Sequence, residues 1–274
     1  MNVFTEKLNL IEEVVKLSRD AGESILAIYN DSNLDFNFKE DNTPLTSADI
    51  ASNNVIVKGL KKITPELPIL SEEGSDIPYS IRSKWDQYWL IDPLDGTKEF
   101  LKRNGEFTVN IALIKNGRPI LGVIYVPVNN EIFYGYKDGG SFYEKGKNSA
   151  KKIEVANDYQ GPIRIVSSRS HTNKQLISFI KNIKNKKVLS IGSSLKFCLI
   201  ASGKADIYPR FGPTSEWDTA AGDAIVKFAG GSIMTEKKEE LIYNQKESLL
   251  NPNFIAYSNN KYNDMFTRKK ETES

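Results

Sequence analysis

The chain has 274 residues, a formal net charge of +2 and 26% charged residues. That length can bury a sizeable core as one large domain or two packed subdomains, and the near-neutral charge gives no sign of a polyelectrolyte partner such as duplex DNA. One cysteine, Cys198, and one histidine, His171, exclude an internal disulfide and a Cys/His structural zinc site, so a metal site has to rest on carboxylates. No stretch approaches the ~20 apolar residues of a membrane span, and no apolar run near Met1 suits a signal peptide. The expectation is a cytoplasmic protein with no nucleic-acid partner and no integral membrane segment. Peripheral association with an inner membrane and the oligomeric state leave no readable trace.

Phe4, Leu8, Ile11, Val15, Ala21, Ile25 and Ile28 recur at near-helical spacing, which predicts one long amphipathic helix over the first thirty residues. Phe36 and Phe38 alternate with polar neighbours as a strand does. After the break at Pro44, Thr46 or Ser47 can cap a helix reaching about Leu60. Asp49 then lies in its first turn, where the helix dipole alone would explain a carboxylate. Ile69-Leu70 reads as a short strand ending in Ser71-Glu72-Glu73-Gly74, and acids at a strand end are commonly just solvated.

The stretch Trp89-Leu-Ile-Asp-Pro-Leu-Asp-Gly-Thr-Lys-Glu-Phe100 organises the chain. It begins as an apolar strand, and Pro93 biases Asp92 to an extended backbone. Gly96 permits close backbone approach, and Asp95-Gly96-Thr97 reads as a helix entry, whose free N–H groups suit a phosphate. Two hard-oxygen ligands beside an anion cradle suggest Mg²⁺-assisted phosphoryl chemistry. The same residues also fit a capped strand-to-helix turn with two solvated aspartates.

Phe107 to Ile114, Pro119 to Tyr125 and Glu131 to Tyr136 then form an antiparallel meander with turns at Asn116-Gly117 and Val128 to Asn130. The polar run Ser149 to Lys152 suits a subdomain boundary. Beyond it strands and helices alternate: Ile163 to Ser167, Lys174 to Ile183, Val188 to Ile191, Ser194 to Ala201, Ala205 to Pro209, Trp217 to Phe228, Ser232 to Thr235 and Phe254 to Tyr257. Cys198, in an apolar helical run, reads as a packing residue. An N-terminal α+β part over residues 1–150 and a C-terminal α/β part over residues 151–274 are expected, with a small-molecule site at their junction.

The central stretch resembles the first signature of the inositol monophosphatase superfamily. Three further pieces stand in the required order: Glu72-Glu73 before it, Trp217-Asp218-Thr-Ala-Ala-Gly-Asp-Ala224 well after it, and the helix start Thr46 to Asp49. The resemblance implies a layered αβαβα sandwich of the inositol monophosphatase/fructose-1,6-bisphosphatase type. It also implies two or three Mg²⁺ per site and inhibition by Li⁺. Glu72, Asp92 and the Leu94 carbonyl would hold one ion, and Asp92, Asp95 and Asp218 another. Asp49 would serve a third ion through water, and Thr97 with Glu72 or Asp49 would orient the attacking water. The Gly96 and Thr97 amides, with Asp95 and Asp218 beside them, would border the phosphate.

The substrate is read from Gly192 to Arg210. A bisphosphate needs cations away from the metals; Lys196 lies one turn into a helix begun by Ser193 and Ser194, and Arg210 follows the next strand. His171 could add a contact to a nucleoside. Surface cations and a satisfied loop histidine would also account for them. The Ser-Ser-x-Lys-Phe and Tyr-Pro-Arg elements, with Phe100 to Ile114 and Glu247 to Pro252, resemble the CysQ-type 3′(2′),5′-bisphosphate nucleotidases. That resemblance implies hydrolysis of adenosine 3′,5′-bisphosphate to AMP, with 3′-phosphoadenylyl sulfate as a second substrate and the small phosphonucleotide as partner. An inositol monophosphatase or broad sugar phosphatase, or a non-catalytic phosphonucleotide sensor, are the rivals. The 3′ over 2′ preference and the identity of the base are not legible.

Overall fold

The computed structural model describes residues 3–30, 36–38, 44–170, 173–259 and 262. Helix α1 (Val3–Tyr29) leads to the hairpin β1 (Phe36–Phe38) and β2 (Pro44–Thr46) and to helix α2 (Ser47–Ile63). Strand β3 (Ile69–Ser71), a 3₁₀ turn (Glu72–Gly74) and the short helix α3 (Tyr79–Arg82) precede β4 (Gln87–Asp95) and α4 (Thr97–Leu101). A meander follows: β5 (Thr108–Lys115), β6 (Arg118–Val126), β7 (Glu131–Tyr136), β8 (Gly140–Lys145) and β9 (Lys151–Ile153). The second half runs β10 (Ile163–Ser168), α5 (Lys174–Lys181), β11 (Lys186–Ile191), α6 (Leu195–Ala201) and β12 (Ile207–Arg210). It closes with α7 (Trp217–Phe228), β13 (Ser232–Thr235) and β14 (Phe254–Tyr257).

Strands β3 to β9 form one seven-stranded sheet in sequential order, and the second half forms a five-stranded sheet ordered β11-β10-β12-β14-β13. The first sheet therefore runs through Ile153, past the polar stretch at Ser149 to Lys152, and the second starts at Ile163. Both sheets are buried on two faces. In β4, Trp89 and Ile91 join a core with α1 and α2, whereas Tyr88 and Leu90 join a core with α6 and α7. The far face of the second sheet, through Ile165, Ile207 and Ile255, packs on Leu176 and Phe179 of α5. The layers are thus α, β, α, β, α, as the family resemblance implies.

Helix α7 is the central slab, and its small residues explain how close it lies to the first sheet. A Cβ on Gly122 of β6 would stand 2.4 Å from the Ala221 carbonyl and 2.8 Å from Ala224 Cβ. Backbone cannot yield there as a flexible side chain would. Gly122→Ala is expected to cost about 1–3 kcal/mol by overpacking, read as a lower urea midpoint with an unchanged slope.

Candidate active site

Three elements converge on one point between the two sheets. In β4 the alternation that sends Leu90 toward α7 also sends Asp92 there. Regular pairing would turn Asp95, three residues on, to the opposite face. The ladder with β5 slips instead between Asp92, opposite Asn110, and Asp95, opposite Thr108. This bulge carries one extra residue and turns Asp95 back toward Asp92. The strand predicted to stop at Ile91 therefore continues through Pro93 to Asp95, and Ser52 Oγ of α2 donates to the Pro93 carbonyl at 2.8 Å. Asp218 enters from the first turn of α7, its Oδ2 accepting the Ser215 N–H at 2.8 Å.

One carboxylate oxygen from each of Asp92, Asp95 and Asp218 lies within 4.8 Å of the others. Burial, followed by Glu72, Asp95, Asp218 and Asp49, pushes the Asp92 carboxyl well above its ordinary value. Burial with Asp95 and Glu72 does the same to Asp218. Asp95 is also raised by burial, although Lys196 and the Ser194 N–H ease it. Asp92 Oδ1 accepts the Leu94 N–H at 3.1 Å, while its buried Oδ2 has no hydrogen-bond partner among the described residues. An orphaned carboxylate oxygen inside a crowd of acids fits a hard divalent cation. Glu72 in the 3₁₀ turn and Asp49, buried in the first turn of α2, both lie close enough to act on Asp92 electrostatically. Asp92 thus has the four other predicted acids acting on it, Asp95 and Asp218 in the close cluster and Glu72 and Asp49 beyond it.

A cavity of about 320 Å³ opens beside this cluster. Asp95, Gly96, Thr97 and Asp218 form one wall, and Ser193, Ser194, Lys196 and Arg210 line it as well. Gly96 starts α4 at φ 94°, and a Cβ there would press on the Glu106 carbonyl and Ser193 Cβ, both at 3.2 Å, so only glycine fits without strain. Lys196 is buried; its Nζ donates to the Ser193 carbonyl and lies 5.3 Å from the Tyr208 ring centroid. Burial lowers its pKa to about 8, with Asp95 opposing the shift. Arg210 Nη2 donates to the Pro213 carbonyl at 2.6 Å, leaving its buried Nε without a partner among the described residues. The Ser194 hydroxyl is drawn inward, donating to Asn110 Oδ1 at 2.7 Å and meeting Thr108 Oγ1 at 2.7 Å. His171 lies outside the described residues. Cys198 is buried, and burial raises its thiol, as a packing role requires.

Glu99, Ser168, Ser170, Tyr208 and Thr214 also line the cavity and were not singled out from the sequence. Glu99 could have been: it falls in the first turn of the helix that Gly96 opens, where an acid has a reason to sit.

The model of the inositol monophosphatase family matches residues 6–271. The chain belongs to the inositol monophosphatase family. It is 47% identical over 246 residues to the 3′(2′),5′-bisphosphate nucleotidase CysQ of Salmonella typhimurium, covering 89% of this chain and 98% of that protein. Its counterpart of the same name in Escherichia coli K12 is 48% identical over 247 residues, with the same coverage. The crystal structure of CysQ from Bacteroides thetaiotaomicron matches at a TM-score of 0.82 and 43% identity, over 94% of this chain and 99% of that one. An inositol monophosphatase from Anabaena shares the fold at a TM-score of 0.76 and 23% identity, over 95% and 94% of the two chains. Members of the family are generally metal-dependent, and the acid cluster is where a metal fits this one. No helix among the described residues is long and apolar enough to cross a membrane.

Proposed function

We propose that the chain is a Mg²⁺-dependent 3′(2′),5′-bisphosphate nucleotidase that converts adenosine 3′,5′-bisphosphate to AMP and phosphate in the cytoplasm. The observation that carries the reading is one cavity lined by Asp95 and Asp218 together with two buried cations, Lys196 and Arg210. A phosphate monoester on an uncharged polyol needs only the acids. A second phosphate on the same substrate is what two desolvated cations suit. The names of the relatives at 47% and 48% identity agree with this choice.

In this reading Glu72, Asp92 and the Leu94 carbonyl would hold one Mg²⁺, Asp92, Asp95 and Asp218 would hold a second, and Asp49 would serve a third through water. Ions held there would supply Lewis-acid chemistry, lowering the pKa of a water and offsetting charge on the leaving oxygen. The protein supplies the rest. The Gly96 and Thr97 amides border the 3′-phosphoryl group, and Thr97 with Glu72 or Asp49 orients the water and receives its proton. Water adds to phosphorus, the P–O3′ bond breaks, and O3′ leaves on AMP as it takes up a proton. Lys196, Arg210 and the turn at Ser193 and Ser194 hold the remaining phosphate. The sulfated analogue, 3′-phosphoadenylyl sulfate, presents the same 3′-phosphate and is accepted as a second substrate.

Phosphate release from adenosine 3′,5′-bisphosphate and from inositol 1-phosphate, measured side by side in Mg²⁺, tests the assignment. The nucleotide is expected to be preferred by at least about 100-fold in kcat/KM, as two charge-assisted contacts to the second phosphate would give. Li⁺ is expected to inhibit. A preference for inositol 1-phosphate would leave the metal site in place and remove the nucleotide assignment. Binding of the nucleotide without turnover would make the chain a sensor.

A further inference from the structure

Beside the catalytic acids, a second pair of acids joins the two halves of the molecule at the cavity rim. Glu99 of α4 is 2% exposed and lines the cavity. One of its oxygens accepts from Ser170 Oγ and the other from Asn104 Nδ2. Burial works against its charge, but the bonds from Ser170 and Asn104, aided by Lys102 and Arg169, outweigh that and hold the carboxyl below its ordinary value. Glu106, just before β5, takes a two-point bond from Arg169, with Nε and Nη2 at 2.9 and 2.7 Å, and the Gly192 N–H at 2.7 Å. Arg169 also donates to the Ser190 carbonyl at 2.9 Å, and Lys102 Nζ donates to Ser170 Oγ at 3.3 Å.

Most of these bonds cross between two parts of the fold. Glu99, Lys102 and Glu106 belong to the α4–β5 segment of the catalytic half. Ser170, Arg169 and Gly192 belong to two turns at the ends of β10 and β11 in the other half. The fit at Gly192 is tight, since a Cβ there would stand 2.7 Å from Glu99 Cγ and 2.9 Å from the Glu106 carbonyl. The next residue, Ser193, sits at φ 45°, a left-handed conformation that costs free energy outside glycine and persists only where the surroundings impose it. Glu99 is also poorly placed to bind a phosphonucleotide itself. It is an ionised acid in an anion site, and each of its oxygens already has a donor.

We propose that Glu99 and Glu106 are positioning residues. They clamp the Ser168–Ser170 and Gly192–Ser194 turns onto the catalytic half and thereby set how tightly the nucleotide part of the substrate is held. This rests on the nucleotidase reading above. None of the clamp bonds ends on Asp92 or Asp218, so affinity is the quantity it governs.

The test uses Glu99→Ala and Glu106→Ala in the full chain. Each is expected to raise KM for adenosine 3′,5′-bisphosphate about tenfold, with kcat within about threefold, the size of one lost hydrogen bond to a charged group. The dissociation constant for AMP, measured by calorimetry, should rise by the same factor, while the Mg²⁺-induced rise in melting temperature stays as in the parent protein. Glu106→Gln keeps an acceptor for Gly192 and should fall between parent and alanine variant. Should Glu99→Ala not fold, Arg169→Ala reads the same clamp from a side chain that is 44% exposed. Unchanged KM and AMP affinity would overturn the proposal. So would equal losses in kcat and in the Mg²⁺ response, which would mark a general structural defect. A parent protein that does not turn over the nucleotide would instead remove the functional reading, and the clamp's role with it.

Discussion

Asp92→Asn is expected to lower kcat for adenosine 3′,5′-bisphosphate by at least about a thousandfold and, without divalent cation, to make the protein more stable. The first effect follows from the place of Asp92 at the centre of the acid cluster, where Asp95, Asp218, Glu72 and Asp49 all act on it. Metal ions supply several kcal/mol of transition-state stabilisation, and each ~1.4 kcal/mol is tenfold in rate. The second effect has the opposite sign because a buried carboxylate with an unpartnered oxygen is a cost that only a cation offsets. The pH dependence follows the same physics. Asp92 and Asp218 are raised in the folded chain above the ordinary carboxyl value of 3.8, so above about pH 4 the folded state binds more protons than the unfolded one. Metal-free stability therefore falls as pH rises through and above that value, toward the raised folded pKa values. Thermal melts across pH 4 to about 8 should show this slope; saturating Mg²⁺ or the Asn substitution should reduce it, leaving at least the part due to Asp223, which burial raises to about 7. A metal-free parent that is indifferent to pH across that range would contradict the crowding of acids described here.

Lys196→Met combined with Arg210→Ala is the second large change. The pair should raise KM for the nucleotide by about 100-fold or more, since each charge-assisted bond to a phosphate is worth about 1.5–3 kcal/mol. Turnover of inositol 1-phosphate, if detectable in the parent, should change by no more than a few-fold. Lys196 also anchors the Ser193 carbonyl, so methionine retains the buried volume while removing the charge. Steady-state kinetics with both substrates separates the outcomes. A comparable loss on both would mean the cations serve the reaction itself and not the second phosphate.

Much of this architecture is legible in the chain because local signals agree with the fold. Trp217–Phe228, Ser232–Thr235 and Phe254–Tyr257 begin and end where periodicity and the Gly230-Gly231 pair place them. The acid cluster is legible for another reason: Asp92, Asp95 and Asp218 each lie beside a residue that carries a local signal, Pro93, Gly96 and Trp217. Other features depend on contacts that no short window contains. Strands β8 and β9 are lysine-bearing and only partly buried, so their alternation is faint. Pro93 explains an extended Asp92, but the bulge against β5 that carries β4 on to Asp95 depends on the partner strand. The bonds that Glu99 accepts from Ser170 and Glu106 from Arg169 span 71 and 63 residues; the helix start hints at Glu99, but nothing local names either partner or sets Glu106 apart from a solvated acid.

The most direct measurement is the identity of the product. Adenosine 3′,5′-bisphosphate incubated with the protein in Mg²⁺ should give 5′-AMP and one equivalent of phosphate by ³¹P NMR. No phosphate should appear in chelator or with Asp218→Asn. Adenosine 3′-phosphate as product, or turnover that persists in chelator, would contradict a site in which Asp92, Asp95 and Asp218 act on the 3′-phosphate while Lys196 and Arg210 hold the other.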